Sequence, residues 1–172
     1  MNLNGSCFHF SGSREVNWWR AGEACATLNG TLLAPSDHQE NEVIKSYLRT
    51  LPHHHDTFLG AYDNGHEGTW YWEATKKPLT FYNWAFRQPN NHTQHCLAFS
   101  FRDDYRWSNV HCDQAHAFGC KWKGRTHLER LVDDENEWKA RRFGLKCKML
   151  GVKFTFDKEP NEAEENALSR NM

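Results

Sequence analysis

The sequence lacks the features that would place it in a membrane or on a nucleic acid. No apolar run approaches the ~20 residues that are needed to span a bilayer. The 21 Lys and Arg residues nearly balance the 22 Asp and Glu residues, which leaves a formal net charge of -1. A chain without a basic excess has no electrostatic basis for binding nucleic acid or an anionic membrane surface. We therefore expect neither a membrane span nor a nucleic-acid partner.

Motifs that carry catalysis or bind phosphates are also missing. The sequence has no Gly-x-Ser-x-Gly nucleophile elbow, no His-Glu-x-x-His and no phosphate-binding glycine loop. His53, His54, His55 and Asp56 stand in a row, but adjacent residues point in different directions, whereas zinc ligands are usually spaced along a scaffold. We interpret this run as a polar loop and predict that the protein is not an enzyme.

The six cysteines include no Cys-x-x-Cys pair of the kind that serves redox or zinc chemistry. Six are too many for incidental packing, so disulfides and an oxidising compartment are the better interpretation. Sequons begin at Asn4, Asn29 and Asn91, and we predict glycosylation at the last two. The first six residues have neither a basic start nor an apolar stretch, so they are not a signal peptide. We expect an extracellular protein that has lost its leader.

Residues 7–122 carry helix and strand patterns throughout and are expected to form one domain. Apolar residues at helical spacing predict a first helix over residues 17–28. Ser36 followed three residues later by Gln39 is a capping box, which predicts that a second helix begins there. The apolar face of this second helix would consist of Val43, Ile44, Tyr47 and Leu48.

Short strands are expected around the helices, and the rest of the chain differs in kind. Alternating or compact apolar runs predict strands at residues 8–10, 31–34, 58–61, 70–72, 96–101, 106–112 and 117–122. Residues 73–95 show no clean period, and a loop this long inside a compact domain is usually functional. Residues 123–156 are predicted to be a partly helical extension. Residues 157–172 are acidic and poor in apolar side chains, which predicts a disordered tail.

Several short motifs follow one another in a specific order: Phe58-Leu59-Gly60, Glu67-Gly68, Trp70-Tyr71-Trp72, Asn83-Trp84, Gln88-Pro89-Asn90, Trp107-Ser108-Asn109 and Gly119-Cys120. Across residues 7–122 the chain thereby resembles the C-type lectin-like domain family. Its short loop and its Arg102-Asp103-Asp104 hairpin resemble secreted invertebrate lectins of the perlucin type. The resemblance implies an α+β fold with two helices, two small antiparallel sheets and a long binding loop, linked by disulfides.

The resemblance also implies which cysteines pair. Cys25 would pair with Cys120, closing a loop of about 95 residues that contributes roughly 4–5 kcal/mol in the chain-entropy model. A second disulfide would join Cys96 and Cys112. Cys7 stands where longer members have one cysteine of an N-terminal hairpin, and its upstream partner is absent. Three alternatives remain for Cys7: a disulfide with Cys147, a free thiol, or a bridge to another chain.

The resemblance assigns ligand binding to five positions of the long loop and the following strand. These positions hold Gln88, Asn90, Gln94, Ser108 and Asn109. Calcium takes about six to eight oxygen ligands, and several of them are carboxylates that offset its charge. All five side chains are neutral here. Calcium is therefore the cofactor that the family implies, and we expect it to bind weakly or not at all.

A few other residues near the loop are candidate partners of a metal or a ligand. Asp63 and Glu67 match acidic positions of an auxiliary calcium site in some relatives, whose other positions hold Asn91 and His95 here. The hairpin offers Asp103 or Asp104, which lie a few residues from the matching position. The resemblance further implies a cis peptide at Pro89. Phe86 and Arg87 form either a partner contact or a solvated loop tip.

We interpret the chain as a secreted, non-catalytic recognition module. It would bind a carbohydrate or glycoprotein ligand through the long loop, with weak or absent calcium dependence. The alternative is a protein–protein or extracellular-matrix module without sugar binding, and the acidic end of the tail would suit a mineral surface. An enzyme would require a metal ion on the histidine run.

Overall fold

The computed structural model describes residues 6–63 and 68–123. In these ranges two α-helices and eight strands follow one another, joined between the sixth and seventh strands by a 3-10 turn at Phe101–Asp103. The elements are β1 (Ser6–Phe10), α1 (Trp18–Thr27), β2 (Thr31–Leu32), α2 (His38–Leu48), β3 (Thr57–Tyr62), β4 (Tyr71–Trp72), β5 (Lys77–Pro78), β6 (Cys96–Ser100), β7 (Arg106–Val110) and β8 (Ala117–Lys123).

Strand β8 joins two antiparallel groups of strands into one mixed sheet. Its last five residues pair antiparallel with β1, and its Cys120 and Lys121 pair with β2. Its first two residues, Ala117 and Phe118, pair in parallel with the start of β3. Strand β3 continues antiparallel to β4 and β6, which in turn pair with β5 and β7. The predicted α+β fold is confirmed. Strand β8 is long enough for its first two residues to pair in parallel with β3 while its last five pair antiparallel with β1.

Helix α1 forms where the spacing of apolar residues predicts it. The Asn17 side chain caps the helix by accepting a hydrogen bond from the Arg20 backbone N–H at 3.0 Å. Trp18, Ala21 and Cys25 lie on the buried face, at the three- and four-residue steps of a helix. The Trp18 indole donates to the Leu59 carbonyl at 2.9 Å, which attaches the helix to β3.

Helix α2 begins one residue later than the capping box predicts. Asp37 is the cap, and its side chain accepts from the Glu40 backbone N–H at 2.8 Å. The Ser36 hydroxyl instead accepts from the Lys121 ammonium at 2.9 Å, and the Ser36 backbone N–H donates to Glu40 Oε2 at 2.6 Å. Lys121 also pairs with the nearly buried Glu40 at 2.6 Å. The buried face includes polar residues that the apolar pattern did not predict, namely Glu40, Asn41 and Lys45.

The core is rich in tryptophan and is crossed by two disulfides. Trp107 is fully buried, and its indole N–H donates to the buried Asn41 side chain at 3.0 Å. The implied disulfides Cys25–Cys120 and Cys96–Cys112 are both present, with Cα–Cα distances of 5.3 and 5.2 Å. Cys7 is disulfide-bonded as well, so it is not a free thiol. Cys147, one of the two partners that then remain as alternatives, lies outside the described residues.

Several sequence predictions fall on parts of the chain that are not described. The extension at 123–156, apart from Lys123, the tail at 157–172, the first sequon at Asn4 and the acidic Glu67 all lie there. Within the described ranges, neither helix has the length and apolar composition of a membrane span.

Candidate functional site

The long loop is attached to the sheet at its middle and at its end. The Trp107 backbone N–H of β7 donates to the Asn83 carbonyl at 2.7 Å, and the Ala85 N–H donates to the Trp107 carbonyl at 2.8 Å. The disulfide Cys96–Cys112 ties the end of the loop to the segment after β7. Residues 86–95 therefore project as a short excursion between two fixed points.

The start of this excursion has an unusual backbone. The peptide bond between Gln88 and Pro89 is cis, as the resemblance implies. Arg87, just before it, has a φ of 60°, in the left-handed region that favours glycine. The Gln88 side-chain oxygen accepts from the Asn109 backbone N–H at 3.3 Å, so the turn is tied to β7.

The Asn109 side chain is the centre of the loop. It is 4% exposed, and its Oδ1 accepts from the Asn90 backbone N–H at 3.1 Å. Its Nδ2 donates to the carbonyls of Asn91 and Gln94, at 2.7 and 3.2 Å. These partners fix the orientation of the amide, since only the nitrogen can donate and only the oxygen can accept from an N–H. One buried amide thus holds three separate points of the loop.

Four of the five predicted ligand-binding residues, all except Ser108, take part in this network, and their exposure to solvent differs. Asn90 is exposed, Gln88 and Gln94 are half-buried, and Asn109 is buried. Ser108 is also buried, at 7% exposure, and forms no part of the network. Asn90 is the member of the set whose side chain is most open to a ligand, and the binding role of the whole set stays a prediction.

This arrangement does not fit a calcium ion. The side-chain oxygens of Gln88 and Asn109 already accept hydrogen bonds from backbone N–H groups. Asn109 presents N–H donors to the two carbonyls that face it, whereas calcium needs oxygen ligands and negative charge. In the described part of the chain, no group of three or more His, Cys, Asp and Glu residues could hold a metal ion.

The acidic side chains near the loop are engaged with basic or polar partners. Asp63 is 5% exposed, and its Oδ1 lies 2.9 Å from Nδ1 of His95. Asp104 receives two hydrogen bonds of 2.7 Å from Arg49, which hold the pKa of its carboxyl below the usual range. Asp103 accepts from the Ser100 hydroxyl at 2.9 Å. The auxiliary calcium site at Asp63 and Glu67 stays a prediction.

The histidine run behaves as the polar loop that the sequence predicts. Nδ1 of His54 lies 3.3 Å from the Tyr105 hydroxyl, and Nδ1 of His55 lies 2.9 Å from the Glu15 carboxylate. Neighbouring rings therefore have different partners.

The outer surface of the loop carries exposed aromatic rings. Phe86 is 82% exposed, and the Arg87 guanidinium lies over its ring with Cζ 5.0 Å from the centroid. Tyr82, 49% exposed, stacks on Trp84 with a centroid distance of 6.3 Å and an interplanar angle of 16°. The sequence reasoning selected Phe86 and Arg87 but missed Tyr82. The pattern that could have identified Tyr82 is the alternation of aromatic residues at positions 82, 84 and 86.

A scan against protein-family models matches the lectin C-type domain at residues 14–122, which is more than half of the chain. The chain belongs to the C-type lectin domain family. The predicted family is thereby confirmed, and the order of short motifs that indicated it lies almost entirely within the matched range.

Curated relatives of this C-type lectin domain include molluscan and fish proteins. Perlucin of Haliotis laevigata is 31% identical over 120 residues, covering 67% of this chain and 76% of the relative. A perlucin-like protein of Mytilus galloprovincialis is 29% identical over 110 residues, covering 63% and 70%. The galactose-specific lectin nattectin of Thalassophryne nattereri is 27% identical over 117 residues, covering 66% and 72%.

Solved structures share the fold at lower identity. The carbohydrate-recognition domain of mouse scavenger receptor C-type lectin is 21% identical, with a TM-score of 0.63 over 73% of this chain and 94% of that one. The murine dendritic cell inhibitory receptor 2 domain, in complex with an N-glycan, is 21% identical with a TM-score of 0.61, covering 69% and 91%. A calcium-independent type II antifreeze protein is 20% identical with a TM-score of 0.61, covering 71% and 89%.

Proposed function

We propose that this protein is a non-catalytic recognition module that binds a carbohydrate or glycoprotein ligand through residues 86–95 without calcium. The observation that carries the proposal is the Asn109 amide, which bonds to the loop at Asn90, Asn91 and Gln94. The family membership and the relatives that are named as lectins support the carbohydrate part. The calcium-independent antifreeze protein is a precedent for this fold without a calcium requirement.

The conformation of the loop is fixed before a ligand binds. A binding loop that is already fixed loses less conformational entropy on association, so its contacts contribute more fully to affinity. In this protein three hydrogen bonds from one buried side chain supply that order. A cation at this position would displace the amide donors, which face the same carbonyl oxygens that it would need.

The exposed side chains of the excursion are suited to hydroxyl-rich ligands. Asn90, His92 and Thr93 are all exposed. Amide and hydroxyl groups both donate and accept hydrogen bonds, which matches the paired donor and acceptor character of a sugar hydroxyl. The residues therefore favour a polar ligand over a wholly apolar one.

We also propose that the module acts outside the cell and spans residues 7–122. The two disulfides Cys25–Cys120 and Cys96–Cys112 support an oxidising compartment, because cytosolic proteins rarely keep such bonds. The exposed sequons at Asn29 and Asn91 agree with it. Residue 7 lies in β1 and residue 122 lies in β8, and these two strands pair with each other.

A glycan array tests the proposal when it is run on the secreted protein in calcium and again in chelator. We expect the same glycans to bind with the same affinity in both buffers. Asn90→Ala should weaken this binding, while Trp19→Ala, at an exposed position of helix α1, should leave it unchanged. The proposal is wrong if chelator abolishes binding, or if no glycan binds and an unglycosylated protein ligand does.

A further inference from the structure

The tip of the long loop exposes one aromatic ring beside one cation. Phe86 is the most exposed large hydrophobic residue of the described ranges, at 82%. Arg87 forms no ion pair with any residue in those ranges. The ring and the charge of this pair are therefore both available to a ligand.

The backbone of Arg87 gives a second reason to look for a function. Its φ of 60° lies in the left-handed region, where a side chain crowds the following carbonyl oxygen and glycine is favoured. Residues held in this region cluster at binding and catalytic sites. Arginine at this position is therefore not explained by the conformation of the turn.

The ring and the guanidinium are arranged as a composite surface. Cζ of Arg87 lies 5.0 Å from the Phe86 ring centroid, so the guanidinium rests against the ring. Stacking of this kind leaves the N–H donors of the guanidinium in its plane, where they can bind a planar or tetrahedral anion in a bidentate manner. Contact with Phe86 also restricts the Arg87 side chain before a ligand binds.

The charge of the surrounding loop favours an anionic ligand. Residues 78–95 contain no Asp and no Glu, and Arg87 is their only Lys or Arg. An anionic group at Arg87 would meet no carboxylate of the same loop. We propose that Phe86 and Arg87 bind a sugar that carries a carboxylate or sulfate group. The apolar face of the sugar ring would pack on the Phe86 side chain, and the carboxylate or sulfate would accept hydrogen bonds from the Arg87 guanidinium. This inference rests on the proposed carbohydrate function and names the class of sugar.

The protein contains a matched pair that serves as a control. Phe101 and Arg102 are also adjacent, and Cζ of Arg102 lies 5.7 Å from the Phe101 ring centroid. Their backbone belongs to the 3-10 turn after β6, and Arg102 is not among the residues with positive φ. Asp103 and Asp104 follow directly, so this pair lies beside two carboxylates. It offers the same side chains without the charge environment of the loop.

The experiment compares variants on a matched pair of sugars, one acidic and one with the acidic group removed. Arg87→Gln should lower the affinity for the acidic sugar roughly tenfold and leave the neutral sugar unchanged, because it removes charge-assisted hydrogen bonds. Arg102→Gln should change neither. The wild-type affinity for the acidic sugar should fall as salt is added.

A further variant separates loss of binding from loss of folding. Arg87→Gly suits the left-handed backbone, so its thermal midpoint should equal or exceed that of the wild type, while its affinity for the acidic sugar falls about as far as that of Arg87→Gln. Equal binding of the acidic and neutral sugars, or equal effects of Arg87→Gln and Arg102→Gln, would overturn this inference and leave the proposed function intact. Failure of the wild type to bind any sugar would overturn both.

Discussion

Exchanging Asn109 for Asp changes one group at the centre of the long loop. The Nδ2 amide that donates two hydrogen bonds becomes a carboxylate oxygen that can donate none. This oxygen would face the carbonyl oxygens of Asn91 and Gln94, which lie 2.7 and 3.2 Å from the nitrogen that it replaces. The side chain keeps nearly the same size, so the substitution tests the hydrogen bonds and the charge rather than the packing.

The cost follows from the burial of the site. Two lost hydrogen bonds account for about 2 kcal/mol at a typical 1 kcal/mol each. A carboxylate at 4% exposure with no cationic partner adds about 1–3 kcal/mol, because its charge is desolvated. We therefore expect the free energy of unfolding to fall by roughly 3–5 kcal/mol, which lowers the thermal midpoint by about 6–20 °C at about 2–4 °C per kcal/mol.

The variant should also acquire a response to calcium, which we do not expect of the wild type. Its carboxylate and the two carbonyls would place three oxygens around one point. Free calcium at about a hundred times its Kd would restore about 2.7 kcal/mol. Chemical denaturation in calcium and in chelator measures both effects. Asn109→Ala is the control for lost hydrogen bonds without charge and should not respond to calcium. Asn90→Asp adds the same charge at an exposed position and should change stability by less than about 0.5 kcal/mol.

Two results would refute this reasoning. If Asn109→Asp were as stable as the wild type in chelator, the amide would not hold the loop in the way that its contacts indicate. If chelator lowered the stability of the wild type, a metal ion would contribute to the folded state and the fit described for this site would be wrong.

Three further predictions concern other parts of the protein. Asn41→Ala should lower the free energy of unfolding by about 2–3 kcal/mol, because the buried Trp107 indole N–H loses its acceptor. His116→Phe should remove a pH dependence: burial lowers the pKa of His116, so folded-state stability is full above a pH of about 6.5 and falls as the pH drops below it. Mass spectrometry of the secreted protein should find glycans on Asn29 and Asn91, which are both exposed.

Each of these predictions has a matched control. Trp107→Phe should cost less stability in the Asn41→Ala background than in the wild type, since the indole N–H has already lost its acceptor there. His53→Gln, at an exposed position, should leave the loss of stability in acid unchanged. A secreted protein with unmodified sequons would contradict the third prediction, and an acid profile that is unaltered by His116→Phe would contradict the second.

The fold could be predicted because its signals are local and ordered along the chain. Trp18, Ala21 and Cys25 show the helical period directly, and the motifs around Trp70 and Trp107 occur in the order that the family shares. The start of α2 was misplaced by one residue because Ser36 and Asp37 are both good capping residues, and Asp37 is the one that accepts from the Glu40 backbone N–H.

At the candidate site, too, the residue types could be predicted from the sequence, whereas their contacts could not. The family resemblance indicated five neutral residues: Gln88, Asn90, Gln94, Ser108 and Asn109. It gave no sign that Asn109 is buried, or that its amide donates to the Asn91 and Gln94 carbonyls. Backbone carbonyls are alike in every residue, so their positions do not register in a sequence. They are set when the loop is attached to β7 and closed by its disulfide.

The residue types therefore indicated the family, through that resemblance two of the disulfide pairs, and the neutral character of the loop, since these depend on side-chain chemistry and its order along the chain. Folding settled which neutral groups face one another and which face solvent. Asn109 is buried and hydrogen-bonded to the loop, whereas Phe86 is exposed. Long-range contacts of the loop with Trp107 and the Cys96–Cys112 disulfide fix where each of these side chains lies.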